Sequence, residues 1–359
     1  MMKIAFDATA LYGPLGGIEN ALFQTFCALQ KLDDDNGYLV FVPRDAPDLP
    51  QKTGWKWVRL PFDGNTKLRR IAWQQFELPS LLKRENCDLL HAWNYVAPLV
   101  CPIPVVLTVQ DLIALDQPHF ATRFNRLHYR AVLPRSLKNA ARVVVSTPKV
   151  GAAVLKRAPR AQIRVVPLGV DEIFFAPPSS GRLAAIAAKY ALPPRFLLYV
   201  GNFEPKKNLP ALLRALKLWP GAPPLVVAGG IKAWPRSEKM LHGVQKLGFI
   251  PRGDLPSLYA LCAAFCFPSL GEGFGLPVVE ALACGAPVLA STRVPLPELE
   301  SVAALCEPRF PLSIARHLGK LVSDAPRDME KVAARRAYAA RFSWDAAARG
   351  TLAIYREFL

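Results

Sequence analysis

Short apolar runs of strand type recur along this chain with helical patterns between them, and that alternation limits the folds open to it. In the first half the runs are Lys3 to Ala8, Tyr38 to Val42, Trp57 to Leu60, Leu89 to Trp93, Val105 to Val109, Val143 to Ser146 and Arg164 to Leu168. In the second they are Phe196 to Val200, Leu225 to Ala228, Val244 to Ile250, Ala264 to Phe267 and Val288 to Ala290. Strands apolar on both faces and separated by helices predict α/β architecture, a doubly wound parallel sheet in each half. Pro177-Pro178-Ser179-Ser180-Gly181 has linker composition and places a boundary near residue 175. With 359 residues in all, each half can bury its own core.

Ligands of such sheets bind beyond the carboxyl ends of the strands. That rule points to Asn94 and Tyr95 after the fourth run, to Gln110 and Asp111 after the fifth, and to the Gly13 to Gly17 turn, which precedes a helical pattern from Ile18 to Leu32. The richest such segment is Leu270 to Ser291. Gly271, Gly273 and Gly275 permit tight folding and close ligand approach, and Pro277 suits a first helical position because its missing N–H would have no partner there. The expected helix closes near Gly285. Its mouth offers amides and partial positive charge to a phosphate. Glu272 in the loop and Glu280, expected in the first turn, would repel phosphate, so they suit the hydroxyls of a sugar and a ribose.

Glu272 and Glu280 form a Glu-x7-Glu motif that resembles the one in the retaining glycosyltransferases of family 4. Val200-Gly201-Asn202-Phe203-Glu204-Pro205-Lys206-Lys207-Asn208-Leu209 is similar to that family's donor-phosphate loop, and Gly16-Gly17-Ile18-Glu19 to its N-terminal Gly-Gly loop. The three occur in the family's order and span nearly the whole chain. The resemblance implies a GT-B fold, two facing Rossmann-like domains with a cleft between them. Residues 1–175 would form the acceptor-side domain, 176–341 the nucleotide-sugar donor domain, and 342–359 a helix crossing back to the first.

It also implies roles. Lys207, flanked by Gly201 and Asn208, would neutralise charge growing on a diphosphate leaving group, by electrostatics and without a metal. Where many members carry arginine this chain has Asn202, so Lys206 or the amides of Gly16 and Gly17 would take a larger share. Glu272 would hold the hexose hydroxyls with the amides of Phe274, Gly275 and Leu276, Glu280 the ribose diol, and Phe249 and Ile250 the base. Gln110 stands where histidine is usual. Its carbonyl remains and its amide can donate or accept, but it cannot become cationic near neutral pH. Glu19, Asn94, Tyr95 and Asp111 would face the acceptor. The implied reaction moves a hexose from a nucleotide-diphosphate sugar, a substrate and not a cofactor, to a saccharide or lipid-linked acceptor. The wider pattern, including Leu133 to Ser136, is similar to bacterial mannosyl- and rhamnosyltransferases of surface polysaccharide assembly, which favours GDP-mannose. A nucleotide-sugar epimerase of the same fold should lack the two glutamates at this spacing. A non-catalytic sugar-nucleotide-binding relative would bind donor without turnover.

Net charge of +17 favours anionic partners: nucleotide phosphates, acidic lipid or nucleic acid. No aromatic-interleaved basic strand, zinc ligand set or recognition helix supports nucleic acid. The seven cysteines, scattered without Cys-x2-Cys spacing, read as reduced core residues of a cytoplasmic protein. The start lacks the apolar stretch of a signal peptide, and the longest apolar run, Val96 to Val109, is interrupted by three prolines and too short to span a bilayer. Asp33-Asp34-Asp35 contains an Asp-x-Asp, yet its place between a helix and a turn reads as a solvated loop, not as a metal site. Lys67 to Arg84 is basic, with Leu68, Ile71, Ala72 and Phe76 at the spacing of one helical face. It reads either as a surface for acidic lipid at the inner face of the membrane or, the favoured reading, as a helix covering the sheet with its basic side in water.

Overall fold

Among the described residues of the computed structural model, every strand pair is parallel. The structure describes residues 1–13, 16–93, 95–120, 122–230, 243–323 and 328–359. They form two units, Met1–Gly169 with Ser343–Leu359, and Val170–Phe342.

In the first unit the strands are β1 (Lys3–Asp7), β2 (Gly37–Val42), β3 (Trp55–Arg59), β4 (Leu89–Ala92), β5 (Val105–Val109), β6 (Arg142–Val145) and β7 (Ile163–Val165), in the order β3-β2-β1-β4-β5-β6-β7. Their register is fixed by apolar burial on both faces: β4 and β5 are buried at every position. The C-terminal helix Trp344–Arg356 belongs to this unit. Its Tyr355 hydroxyl lies 2.6 Å from His91 Nδ1 inside the core, and Glu357 just beyond it pairs with Arg164 Nε at 2.7 Å. Burial pushes the His91 pKa down to about 3, so the ring is a neutral packing and hydrogen-bonding group.

The second unit holds β8 (Leu197–Val200), β9 (Leu225–Ala228), β10 (Gln245–Gly248), β11 (Ala264–Phe267), β12 (Val288–Ser291) and β13 (Ala304–Cys306), in the order β10-β9-β8-β11-β12-β13. The expected doubly wound sheets are therefore present, with β13 added at an edge. The order reverses between β1 and β4 in one sheet and between β8 and β11 in the other. Such reversals open a crevice at the carboxyl ends of the two strands.

Two expectations are corrected. The favoured reading of Lys67 to Arg84 put Leu68, Ile71, Ala72 and Phe76 against the sheet, but Leu68 is 72% and Phe76 79% exposed. Trp73, Gln74, Leu78 and Leu82 are buried instead. The cause is a π-helical turn, Trp73–Glu77, between helices Lys67–Ala72 and Leu78–Arg84. Its wider turn rotates the register, so the 3.6-residue stripe does not stay on one face. Nor is Asp33 a solvated loop residue. It is buried, its carboxylate accepts from Asn36 Nδ2 (2.9 Å), the Asp35 amide (3.1 Å) and the Tyr38 hydroxyl, and only Asp34 and Asp35 are exposed. Burial alone would raise its pKa, but these bonds outweigh that and hold it below the usual carboxylate range.

Candidate functional site

β8 and β11 are neighbours at the reversal in the second sheet, and the two loops that leave their carboxyl ends carry the resembled motifs. The first runs from Gly201 through a 3-10 turn, Pro205–Lys207, to Asn208. Asn208 adopts a left-handed conformation (φ 59°) and is buried. Its Nδ2 donates to Pro268 O at 3.0 Å and to Pro308 O at 2.7 Å, which ties the loop to the exits of β11 and β13. At the other end of the loop β8 passes very close to its neighbour: a Cβ on Gly229 would fall 2.0 Å from Gly201 O.

These ties bring Lys207 to Glu272. Lys207 Nζ donates to Glu272 Oε1 at 2.8 Å and sits 4.8 Å from the centre of the Phe267 ring. The Lys206 carbonyl accepts from the Leu270 amide at 2.7 Å and lies 3.0 Å from Ser269 Oγ, which also reaches Glu272 Oε1. Burial would raise the Glu272 pKa, but the charges of Lys207 and Lys206, with hydrogen bonds from Lys207 and Ser269, hold it below the ordinary range. The carboxylate is thus kept ionised, able only to accept.

Glu272 leads into helix Leu276–Ala283. Gly275 opens it at φ 109°, a conformation that favours glycine, and a Cβ there would press within 3.0 Å of Val294 Cγ1. Phe274 is buried edge-on against Phe342, with ring centres 5.4 Å apart. Pro277 lies in the opening turn as expected, whereas Glu280 lies one turn further in and is buried. Its Oε1 accepts from Arg252 Nη1 at 3.1 Å, while Arg252 Nε reaches Asp171 Oδ2 at 3.3 Å and the guanidinium lies 4.9 Å from the Phe174 ring centre. Burial raises the Glu280 pKa, and Arg252 offsets this only in part.

Arg252 and Asp171 were not singled out from the sequence. Asp171 ends the segment Arg164-Val-Val-Pro-Leu-Gly-Val-Asp171, and Arg252 follows Ile250 at a strand exit, the position where the carboxyl-end rule looks for ligands. Of the two expected base contacts, Phe249 is 63% exposed and Ile250 is buried. Asn202 is exposed beside Gly230.

In the first unit, helix Gly17–Leu32 opens with Gly16 as its cap, and a Cβ on Gly16 would fall 2.7 Å from Glu19 Oε2. Gln110 is buried just beyond β5 and lines a small cavity with Trp93, Thr108 and Ser146. Asp111 accepts from the Ile113 amide at 3.0 Å and from the Tyr95 hydroxyl at 3.3 Å, and Tyr95 is left-handed at φ 64°. Asn94 lies outside the described residues. A further polar cluster went unread in the sequence: Asp7 at the end of β1 accepts from Gln74 Nε2 at 2.6 Å and from Thr9 Oγ1 at 2.7 Å, all three buried.

Comparison with known proteins fits this architecture. Residues 15–173 match the model described as Glycosyltransferase Family 4, and residues 185–341 the model described as Glycosyl transferases group 1. The chain is 34% identical to an O-antigen chain mannosyltransferase B of Escherichia coli over 51% of this chain and 51% of that protein. It is 33% identical to a D-inositol 3-phosphate glycosyltransferase of Mycolicibacterium gilvum over 72% of this chain and 63% of that protein. The matches thus span between half and two thirds of these relatives. Among solved structures, a sucrose-phosphate synthase from Thermosynechococcus elongatus superposes with a TM-score of 0.81 at 21% identity, covering 99% of both chains. Two parallel sheets of this topology, each half matched by a glycosyltransferase model, place the chain in family 4 of the GT-B glycosyltransferases.

Proposed function

We propose that this chain transfers a hexose, with mannose favoured, from a nucleoside-diphosphate sugar to a saccharide or lipid-linked saccharide, retaining the anomeric configuration and needing no metal. The observation that carries the reading is the Lys207–Glu272 pair at the carboxyl ends of β8 and β11. Lys207 has three donors, of which Glu272 takes one. The others can meet the diphosphate as its bond to the sugar breaks and negative charge grows on the leaving oxygen. The amide end of helix Leu276–Ala283 adds partial positive charge. Glu272, ionised and accepting only, suits hexose hydroxyls, and Glu280 suits the ribose diol. In the resembled chemistry the departing phosphate takes the proton of the attacking acceptor hydroxyl on the same face of the sugar, so bond formation and proton transfer balance without a second carboxylate. The preference for mannose rests on the similarity to an O-antigen chain mannosyltransferase.

The test is incubation with GDP-mannose and UDP-glucose, each with labelled sugar and a panel of oligosaccharide acceptors, in excess EDTA. A glycoside of the donor's anomeric configuration is the expected product. Donor binding without product, or epimerised donor alone, would overturn the reading.

A further inference from the structure

We infer that Ser269 is a positioning residue: with Lys207 its hydroxyl occupies Oε1 of Glu272, so that Oε2 is presented to the hexose, and it keeps Glu272 in place when a diphosphate draws on Lys207. The inference rests on the reading of Glu272 as the group that meets the hexose hydroxyls.

The two oxygens of Glu272 are not equivalent. Oε1 accepts from Lys207 Nζ at 2.8 Å and from Ser269 Oγ, whereas Oε2 has no partner among the described residues. The Glu272 side chain is only 9% exposed. A carboxylate oxygen so far from water is costly without a donor. A ligand hydroxyl at Oε2 removes that cost, and the loading of both protein bonds onto Oε1 leaves Oε2 to receive it.

Ser269 suits the task because its place does not depend on the bond it gives. Residues 268–272 are laid against residues 206–208 by bonds to main-chain carbonyls: Asn208 Nδ2 donates to Pro268 O at 3.0 Å, and the Leu270 amide to Lys206 O at 2.7 Å. The completely buried Ser269 hydroxyl then lies 3.0 Å from Lys206 O and 3.2 Å from Gly271 O as well as beside Glu272 Oε1. It has one proton for three acceptors. The ionised carboxylate is the strongest of them and takes it. Lys206 O still holds the Leu270 amide, so that carbonyl keeps a donor.

Lys207 is a less constant anchor. On the proposed reading its remaining donors meet the diphosphate, so phosphate oxygens and Oε1 compete for one ammonium. Ser269 has no ligand to serve. Without its hydroxyl the donor-free protein keeps the Lys207 bond to Oε1 and changes little. The defect appears when donor is bound, as a Glu272 carboxylate free to turn away from the sugar.

Calorimetric titration of the native chain, Ser269→Ala and Glu272→Ala tests this, with GDP-mannose, UDP-glucose, GDP, UDP, and analogues of each sugar nucleotide that lack one hexose hydroxyl at a time. In the native chain, loss of the hydroxyl that Glu272 receives should weaken binding about tenfold or more, the scale of a hydrogen bond to a charged group. In Ser269→Ala that penalty should fall to about threefold or less, as for a weakened bond, while affinity for the nucleoside diphosphate alone and the melting temperature hold. A merely structural role would instead weaken diphosphate and sugar nucleotide alike and leave the penalty as it was. An unchanged penalty in Ser269→Ala, with Glu272→Ala abolishing it, would overturn this inference alone. No binding of either sugar nucleotide, no penalty at any hydroxyl in the native chain, or a penalty that survives Glu272→Ala would overturn the reading of Glu272 and this inference with it.

Discussion

Lys207→Ala is the perturbation that separates the two lysines of the loop from Gly201 to Asn208. Two effects follow from the geometry. Removing one partner of a buried pair typically costs about 3–5 kcal/mol, but the Lys207 side chain is 16% exposed, and Ser269 and Lys206 still attend Glu272. The loss of stability should therefore be about 1–2 kcal/mol, since partial exposure and remaining partners screen the orphaned carboxylate. Glu272 has a folded pKa below its unfolded one, so its contribution is complete above the ordinary carboxylate range and fades as pH falls through the lowered value. In the variant the depression weakens, and this acid sensitivity should move to higher pH. The effect on turnover should be larger. One preorganised donor at developing charge is worth about 3–4 kcal/mol, or a hundred- to a thousandfold in kcat. Lys206→Ala is the control. Lys206 fixes the loop through its carbonyl, which the substitution keeps, and its ammonium pairs at 3.6 Å with the part-exposed Glu204. Its cost should stay within about fivefold, the scale of an exposed pair. Steady-state kcat at saturating donor, with chemical denaturation to measure stability separately, reads both. Equal losses in the two variants would refute the assignment of Lys207.

Three further outcomes follow. Arg252→Ala should weaken nucleoside-diphosphate binding and leave Glu280 buried without its cation; a folded pKa raised further means a penalty largest at neutral pH that shrinks on acidification, so a pH-independent stability loss in denaturation curves would count against the pairing. Gln110→His should change the ratio of kcat/KM between donors differing at C6 by about tenfold, the scale of one altered polar contact; unchanged rate and donor choice would show that this buried position does not tune the sugar. Asp33→Ala should cost about 2–4 kcal/mol in urea denaturation by orphaning the Tyr38 hydroxyl and Asn36 amide, with kcat unaffected; a neutral effect would return Asp33 to a solvated role.

The parts legible in the sequence are those where one periodicity decides. Val105–Val109 reads as a buried strand because all five residues are apolar, and its observed bounds are the expected ones. β13, three residues of which two are only partly buried, has no such signature and was missed. The stripe Leu68, Ile71, Ala72 and Phe76 is a true helical pattern whose face was misassigned, because a π-turn is invisible to a 3.6-residue count. Asp33 was misjudged because its neighbours Asp34 and Asp35 are exposed and its own partners, Tyr38 above all, are set by a hydrogen-bonded turn. The motif carried Lys207 and Glu272 into view by type and spacing. That they touch depends on loops from β8 and β11, strands adjacent in the sheet but far apart in the chain, and that Arg252 spans Asp171 and Glu280 depends on three segments distant in sequence.

The most direct measurement is calorimetric titration of nucleoside diphosphate and nucleoside monophosphate into the native chain and Lys207→Ala. The native chain should bind the diphosphate at least tenfold more tightly than the monophosphate, and in the variant that gap should close. Equal affinities in the native chain, or a gap that survives without Lys207, would contradict the claim that this lysine receives the diphosphate.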